Sequence, residues 1–152
     1  MIAEITGLET LVNLGMLNLD RNLIRKITGL KNCKKLETLI ISCNRLGANE
    51  SQTCMESIEE LKECPELHTL DLRKNHIEDP AVLDDVLSKL ENLAVLYVNN
   101  NEFKVKIKNY RKMMVIKIKN LDHLDDRPVF EKERRLAEAF AIGDKEAELQ
   151  EK

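Results

Sequence analysis

The sequence is poor in aromatic residues and contains no tryptophan; aromatics make up 3% of its 152 residues. The core must therefore be aliphatic. No apolar run approaches the ~20 residues that a transmembrane helix needs. Because 43% of the residues are hydrophobic, a disordered chain is excluded as well. We expect one soluble, monomeric domain without a membrane partner.

The four cysteines form no metal-binding or redox motif. Cys33, Cys43, Cys54 and Cys64 are separated by nine or ten residues, so no Cys-x-x-Cys pair occurs. The N-terminus carries Glu4 where a signal peptide would carry basic residues, and no apolar segment follows it. We therefore expect reduced thiols, no metal, no cofactor and a location in the cytosol or the nucleus.

A pattern of leucine and asparagine occurs four times along the chain. It reads Leu-x-x-Leu-x-Leu-x-x-Asn, with Ile or Val at the sixth position of two copies, and spans residues 14–22, 36–44, 67–75 and 93–101. The copies begin 22, 31 and 26 residues apart, close to the spacing of leucine-rich repeats. In each copy a short strand would direct the fourth and sixth residues into the core. We predict an α/β fold, a right-handed leucine-rich-repeat solenoid with a parallel concave sheet, a helical or irregular convex side and a C-terminal cap.

The asparagine of each copy predicts a ladder of side chains. Asn22, Asn44, Asn75 and Asn101 can each donate and accept hydrogen bonds where a coil bends. On the convex side, residues 53–56 form a capping box and residues 79–80 an Asp-Pro helix start, so we expect a helix at each. The second helix would carry an apolar stripe, namely Val82, Leu83, Val86, Leu87 and Leu90. The shortest repeat, between Asn22 and Leu36, has room only for a 3-10 or an irregular turn.

The two ends of the chain differ from the repeats. Residues 2–8 match residues 24–30, so the chain opens halfway through a repeat without a polar cap. Because terminal repeats need such caps, we expect either earlier repeats before Met1 or a partner at this edge. We assign a cap at about residues 103–129, which completes a repeat domain of residues 1–129. Residues 130–152 would form a helix and a polar tail; the helix face that we expect to be buried comprises Phe130, Leu136, Ala137, Phe140 and Ala141, with Gly143 as the stop.

Three segments near the cap carry a resemblance to a known family. They are Asn-Tyr-Arg-Lys at residues 109–112, Leu-Asp-Asp-Arg-Pro-Val-Phe at 124–130 and Glu-Arg-Arg-Leu-Ala-Glu-Ala at 133–139. With these segments the chain resembles the leucine-rich-repeat axonemal dynein assembly factors. The resemblance implies a scaffold for preassembly of axonemal dynein arms in the cytoplasm of cells with a cilium or flagellum, with dynein chains or assembly chaperones as partners. Similar caps leave two alternatives, a protein phosphatase 1 regulatory subunit-like protein and a spliceosomal-type nucleoprotein subunit that uses a basic cap.

Outward-facing strand residues are the candidates for partner binding, because a solenoid gathers them in columns over its concave sheet. Ile40, Val95 and Tyr97 are apolar residues at outward positions, and the charged residues Asp71 and Arg73 stand beside them. A mixture of apolar, aromatic and Arg side chains is typical of the centre of a protein interface. We predict that these five residues bind a protein partner.

A basic segment provides a second candidate surface. Residues 103–121 contain seven basic residues and no acid, although the net charge of the chain is −3. The candidate edge for an acidic partner consists of Lys104, Lys106, Lys108, Arg111 and Lys117. A cap that is merely solvated explains the same charges. Two aromatic residues in the segment are too few for a base-stacking platform, which disfavours nucleic acid.

The three histidines do not favour catalysis. His68 and Cys43 occupy distant repeat positions, about 20 Å apart at the rise of a strand, which is too far for a Cys-His dyad. Neither a Gly-rich phosphate loop nor a His-Glu-x-x-His motif occurs. We therefore predict that the protein is not an enzyme.

Overall fold

The computed structural model describes residues 1–48 and 53–143 and is organised around a six-stranded sheet. The strands follow one another in chain order: β1 (Met16–Asn18), β2 (Thr38–Ile40), β3 (Thr69–Asp71), β4 (Val95–Tyr97), β5 (His123–Leu124) and β6 (Arg127–Pro128). The first five strands pair in parallel and β6 pairs with β5 antiparallel. Each coil therefore stacks on the preceding one, and the predicted leucine-rich-repeat solenoid with its parallel sheet is confirmed.

Equivalent leucines of successive coils form one column in the core. The strand register aligns Leu17, Leu39, Leu70, Leu96 and Leu124. The last four of these are 0% exposed, whereas Leu17, in the first strand, is only half-buried. Since a fully buried leucine contributes about 1.5–3 kcal/mol relative to an exposed one, this column is a main source of stability.

The asparagine ladder is present as predicted. The Asn44 Nδ2 group donates to the carbonyl oxygens of Leu19 at 2.9 Å and Ile41 at 3.2 Å, while its Oδ1 accepts from the Ile24 N–H at 3.0 Å. Each ladder asparagine thus joins its own coil to the one before it; Asn75 and Asn101 make the same set of contacts. The residue before each asparagine is left-handed, with φ between 54° and 61° at Arg21, Cys43, Lys74 and Asn100.

The convex side contains short helices rather than long ones. Helix α1 (Cys54–Ile58) begins at the predicted capping box, where the Thr53 hydroxyl accepts from the Glu56 N–H at 3.2 Å, and it continues as a 3-10 helix at Glu59–Glu63. Helix α2 (Val82–Asp85) begins later than predicted, because Asp79 caps a turn by accepting from the Ala81 N–H at 2.9 Å.

The stripe predicted for the second helix is nevertheless buried. Val82, Leu83, Val86, Leu87 and Leu90 are all at most 6% exposed. A 3-10 helix at Leu87–Lys89 carries the second half of the stripe, so a tighter backbone achieves the burial expected of a continuous helix. In the shortest repeat, residues 23–35 are irregular, as predicted.

Three helices and a carboxylate close the C-terminal end. They are α3 (Phe103–Lys106), α4 (Tyr110–Lys117) and α5 (Glu131–Ala141). The buried Asp125 lies between β5 and β6: its Oδ1 accepts from the Val98 N–H at 2.9 Å, and its Oδ2 accepts from the Tyr110 hydroxyl at 2.9 Å. Among the described residues, no helix has both the length and the apolar character needed to cross a membrane.

Helix α5 packs against α4, but our prediction of its buried face is partly wrong. Ala137 is buried as predicted, whereas Phe130 is 66% exposed and Ala141 is exposed; Ala139 is buried instead. The Arg134 side chain donates to the carbonyl oxygens of Val115 and Leu121 in the cap. These contacts hold α5 against the cap. Gly143, with φ +79°, follows the helix at the predicted stop.

Candidate functional site

The five residues predicted to bind a partner lie close together on three neighbouring strands. The register of β2, β3 and β4 places Ile40, Asp71 and Tyr97 side by side. Val95 lies on the same face of β4, two residues before Tyr97, and Arg73 follows the end of β3. Ile40, Val95 and Tyr97 are half-buried. We call these five residues the concave cluster.

Asp71 is not the solvent-facing charge that was expected. Its side chain is buried, and the residue is 4% exposed. Arg73 folds back over it: Nε donates to Oδ1 at 3.0 Å and Nη2 donates to Oδ2 at 2.7 Å. The Asp71 carboxylate thereby raises the pKa of Arg73 above its usual value. The expectation failed because strand alternation places Asp71 outward but does not show that Arg73 covers it.

Arg73 also lies against an aromatic pair. Its Cζ atom is 5.0 Å from the centre of the Tyr97 ring, within cation–π range. The Tyr97 ring centre is 5.5 Å from that of His123, at an interplanar angle of 52°. Since His123 Nε2 donates to the Asp125 carbonyl oxygen at 2.9 Å, this second ring is held in place as well.

His123 is a site residue that the sequence analysis missed. The residue pairs with Val95 in the register of β4 and β5 and so belongs to the same outward column. The signal was available, because Leu121-x-x-Leu124 repeats the opening of the leucine pattern and gives His123 the position that Val95 holds. Because the pattern breaks after Leu124, His123 was assigned to the cap alone.

The basic edge is mostly engaged within the fold. Lys104 Nζ lies 3.2 Å from Asp125 Oδ2 and 5.0 Å from the centre of the Tyr110 ring. Lys117 Nζ lies 3.0 Å from Asp84 Oδ1, which ties α4 to α2. Both lysines are half-buried. Their charges are therefore largely balanced inside the protein.

Arg111 joins the cap to α5. It forms an ion pair with Glu133 and donates to the carbonyl oxygens of Leu124 at 3.1 Å and Pro128 at 2.9 Å. The premise of an acid-free edge is thus corrected, because Asp84, Asp125 and Glu133 fold onto it from other parts of the chain. Lys106 and Lys108 are the two members that stay exposed.

The described residues contain no cluster of three or more His, Cys, Asp or Glu side chains that could hold a metal ion. His68 Nδ1 lies 3.1 Å from Thr69 Oγ1. Cys33 and Cys64 are buried core residues. Burial raises the pKa of Cys64 to about 11, so this thiol stays protonated at neutral pH.

The concave cluster offers apolar contact, one aromatic anchor and a fixed guanidinium, which suits protein binding.

The leucine-rich repeat family model matches residues 2–152. The chain belongs to the leucine-rich repeat family. It is 45% identical over 94 residues to the leucine-rich repeat-containing protein ODA7 of Chlamydomonas reinhardtii, covering 62% of this chain and 22% of that protein. It is 44% identical over 95 residues to dynein axonemal assembly factor 1 of Rattus norvegicus, covering 62% and 15% respectively. The resemblance to the dynein assembly factors is confirmed, and the chain spans less than a quarter of the length of these relatives.

Solved structures support the fold. A chain in the crystal structure of the Drosophila melanogaster SNF/U2A' complex has a TM-score of 0.76 and 26% identity, over 99% of this chain and 83% of that one. Internalin C2 of Listeria monocytogenes gives a TM-score of 0.61 and 25% identity, over 80% of this chain and 46% of that one. The first likeness extends through the cap, whereas the second covers less of both chains.

Proposed function

We propose that this leucine-rich repeat protein is a non-catalytic, monomeric scaffold that binds protein partners during cytoplasmic preassembly of axonemal dynein arms in cells with a cilium or flagellum. The names of its relatives support this role, because they describe assembly of axonemal dynein rather than a reaction. The partners would be dynein chains or assembly chaperones. We further propose a repeat domain at residues 1–129, capped by residues 103–129, with residues 130–152 as an attached helix and tail.

The preorganised Arg73–Tyr97 pair is the observation that carries the proposal. Arg73 is fixed by two hydrogen bonds to Asp71 and by the ring of Tyr97, yet its side chain is 46% exposed. Binding therefore does not have to order the guanidinium from a free state, which lowers the entropic cost. Arg and Tyr are also the residue types that dominate binding energy at interface centres.

The neighbours of this pair indicate what a partner would present. Ile40 lies on the far side of Asp71 from Tyr97 in the register of the sheet, and Val95 precedes Tyr97 by two residues on β4. Both remain half-buried, so an apolar side chain can complete their burial. The Arg73 Nη1 group has no hydrogen-bond partner within residues 1–48 and 53–143 and can donate to a carboxylate or carbonyl oxygen of a partner. We propose that the partner places an apolar residue and an oxygen acceptor over the concave cluster.

Ion pairs within the cap weaken the nucleoprotein alternative. That alternative depends on a basic cap, and Lys104, Arg111 and Lys117 already pair with carboxylates of the chain. We still propose that Lys106 and Lys108, the exposed members of the basic edge, contact an acidic partner. If the protein is instead a phosphatase regulator, protein phosphatase 1 would co-purify with it in the experiment below.

Tyr97→Ala tests the proposal in affinity purification from flagellated cells. The variant removes an anchor that is outside the core, so the fold should persist while co-purified axonemal dynein chains fall by about tenfold or more. Val105→Ala is the matched control, since Val105 is an apolar residue of α3 that is 86% exposed and outside the cluster. Equal retention of dynein chains by both variants would contradict the proposed site. Absence of both dynein chains and assembly chaperones from the wild-type sample would contradict the proposed function.

A further inference from the structure

A second surface with an apolar floor lies where the cap meets α5. An open groove of about 600 Å³ is lined by Phe130 and Leu136 together with charged side chains of α4, β6 and α5. Phe130 is 66% exposed, although the chain has only three phenylalanines. It directly precedes α5 in an extended conformation.

The rim of the groove is positively charged. It contains four cationic side chains, Arg111, Lys112, Arg127 and Lys132, and one carboxylate, Glu133. Glu133 is already paired, since Arg111 Nη2 lies 3.2 Å and Arg127 Nη2 3.7 Å from its oxygens. The side chain of Arg127 is 66% exposed and Lys132 is exposed. An excess of positive charge therefore borders the apolar floor.

The walls of the groove are fixed by contacts within the chain. Arg111 of α4 donates to the carbonyl oxygen of Pro128, the residue that ends β6, at 2.9 Å. Arg134 of α5 donates to the Val115 carbonyl oxygen of α4 at 3.2 Å. Because both walls are held in place, a ligand would find a preformed site and would not have to order it.

We propose that this groove docks an acidic segment of a partner protein. The segment inserts one large apolar side chain against Phe130 and Leu136, and its carboxylates pair with Arg127 and Lys132. The volume fits one or two side chains of a peptide. Positive charge around an apolar floor selects for a peptide that combines negative charge with an apolar anchor. The groove shares no residue with the concave cluster, so this site does not depend on the proposed function.

Selection of peptides on the intact 152-residue chain tests the proposal. Phage-displayed random peptides of about 12 residues are panned, and the enriched sequences are synthesised with fluorescein and measured by fluorescence anisotropy. We expect net negative peptides with a large apolar residue. Phe130→Ala should weaken their binding by about tenfold and Lys132→Glu by about fivefold. Raising the salt concentration from roughly 50 to 300 mM should weaken wild-type binding and have less effect on Lys132→Glu.

Matched variants separate this site from other surfaces. Val105→Ala and Lys35→Glu alter exposed residues outside the groove and outside the other proposed binding surfaces, and they should leave the affinity unchanged. Tyr97→Ala asks whether the selected peptides bind the concave cluster instead. Circular dichroism of each variant checks that its helix content matches that of the wild type. The proposal is overturned if the enriched peptides lack acidic residues, if their affinity is insensitive to both Phe130→Ala and Lys132→Glu, or if Tyr97→Ala abolishes binding.

Two other occupants are tested in the same intact chain. Replacing Glu146, Glu148 and Glu151 by Gln asks whether the chain's own C-terminal residues occupy the groove. Unchanged NMR signals of the Phe130 ring support a partner, whereas shifted signals with a gain in peptide affinity overturn the proposal. A dimer in sedimentation equilibrium that Phe130→Ala dissociates would show that a second copy fills the groove, which also overturns it; a monomer supports it.

Discussion

Replacing Arg73 by Ala tests whether the Asp71–Arg73 pair stabilises the fold as well as shaping the concave cluster. Asp71 is 4% exposed and accepts from Arg73 Nε at 3.0 Å and Nη2 at 2.7 Å. After the substitution, the backbone N–H of residue 73 can still donate to Asp71 Oδ1, at 3.1 Å. A buried carboxylate thus loses both of its side-chain donors.

The expected magnitude follows from the burial of the two partners. Breaking a fully buried ion pair by removing one member costs about 3–5 kcal/mol. The Arg73 side chain is 46% exposed, so water can partly solvate the carboxylate after its removal. We therefore expect Arg73→Ala to lower the free energy of unfolding by about 1–3 kcal/mol, well below the fully buried case.

Urea denaturation of a double-mutant cycle measures this coupling. The cycle comprises the wild type, Arg73→Ala, Asp71→Asn and the double variant, in which the neutral amide no longer needs a cation. We expect a coupling free energy of about 1 kcal/mol or more and a double variant that is more stable than Arg73→Ala alone. A coupling below about 0.3 kcal/mol would refute the reasoning, since Asp71 would then not depend on Arg73. It would also remove the argument that the guanidinium is preorganised.

Three further predictions concern the core, the ladder and the cap. Leu70→Ala empties a fully buried position in the leucine column and should lower the free energy of unfolding in urea by about 2–5 kcal/mol; a loss under about 1 kcal/mol would contradict the register. Asn75→Ala should lower it by about 1–3 kcal/mol, because the Leu46 N–H and the Ile41 and Leu72 carbonyl groups lose their partner, while capture of the partner per folded molecule persists. Burial and the neighbouring Asp125 raise the pKa of Tyr110 above its usual range, so its stabilising contribution is fully present below about pH 10 and falls as the pH rises further. Tyr110→Phe should therefore lose stability less steeply than the wild type above that pH, and equal slopes in urea melts would contradict the burial of this hydroxyl.

The fold could be predicted from the sequence because each coil contacts only its neighbours. The spacing of Leu14, Leu17 and Leu19 places the core residues of one coil, and repetition of the spacing stacks the next coil on it. Asn44 and Asn75 could be assigned for the same reason, since their partners lie in their own coil and the one before it. Repetition thus turns a long-range arrangement into a local pattern.

The candidate site was harder to predict where it depends on irregular contacts. The outward positions of Ile40, Val95 and Tyr97 follow from strand alternation. The burial of Asp71 does not, because it depends on the path of the chain after β3 and on the rotamer of Arg73. The charge of the cap was misjudged because its acids come from distant parts of the chain, such as Asp84 and Glu133.

Site-specific photo-crosslinking in flagellated cells tests the central claim, protein binding by the concave cluster, most directly. A benzophenone amino acid is placed at position 97 in one variant and at position 105, on α3, in the other. The account predicts that an axonemal dynein chain or an assembly chaperone is crosslinked from position 97 and not from position 105. Crosslinks from position 105 alone, or none from position 97 in a folded protein, would contradict it.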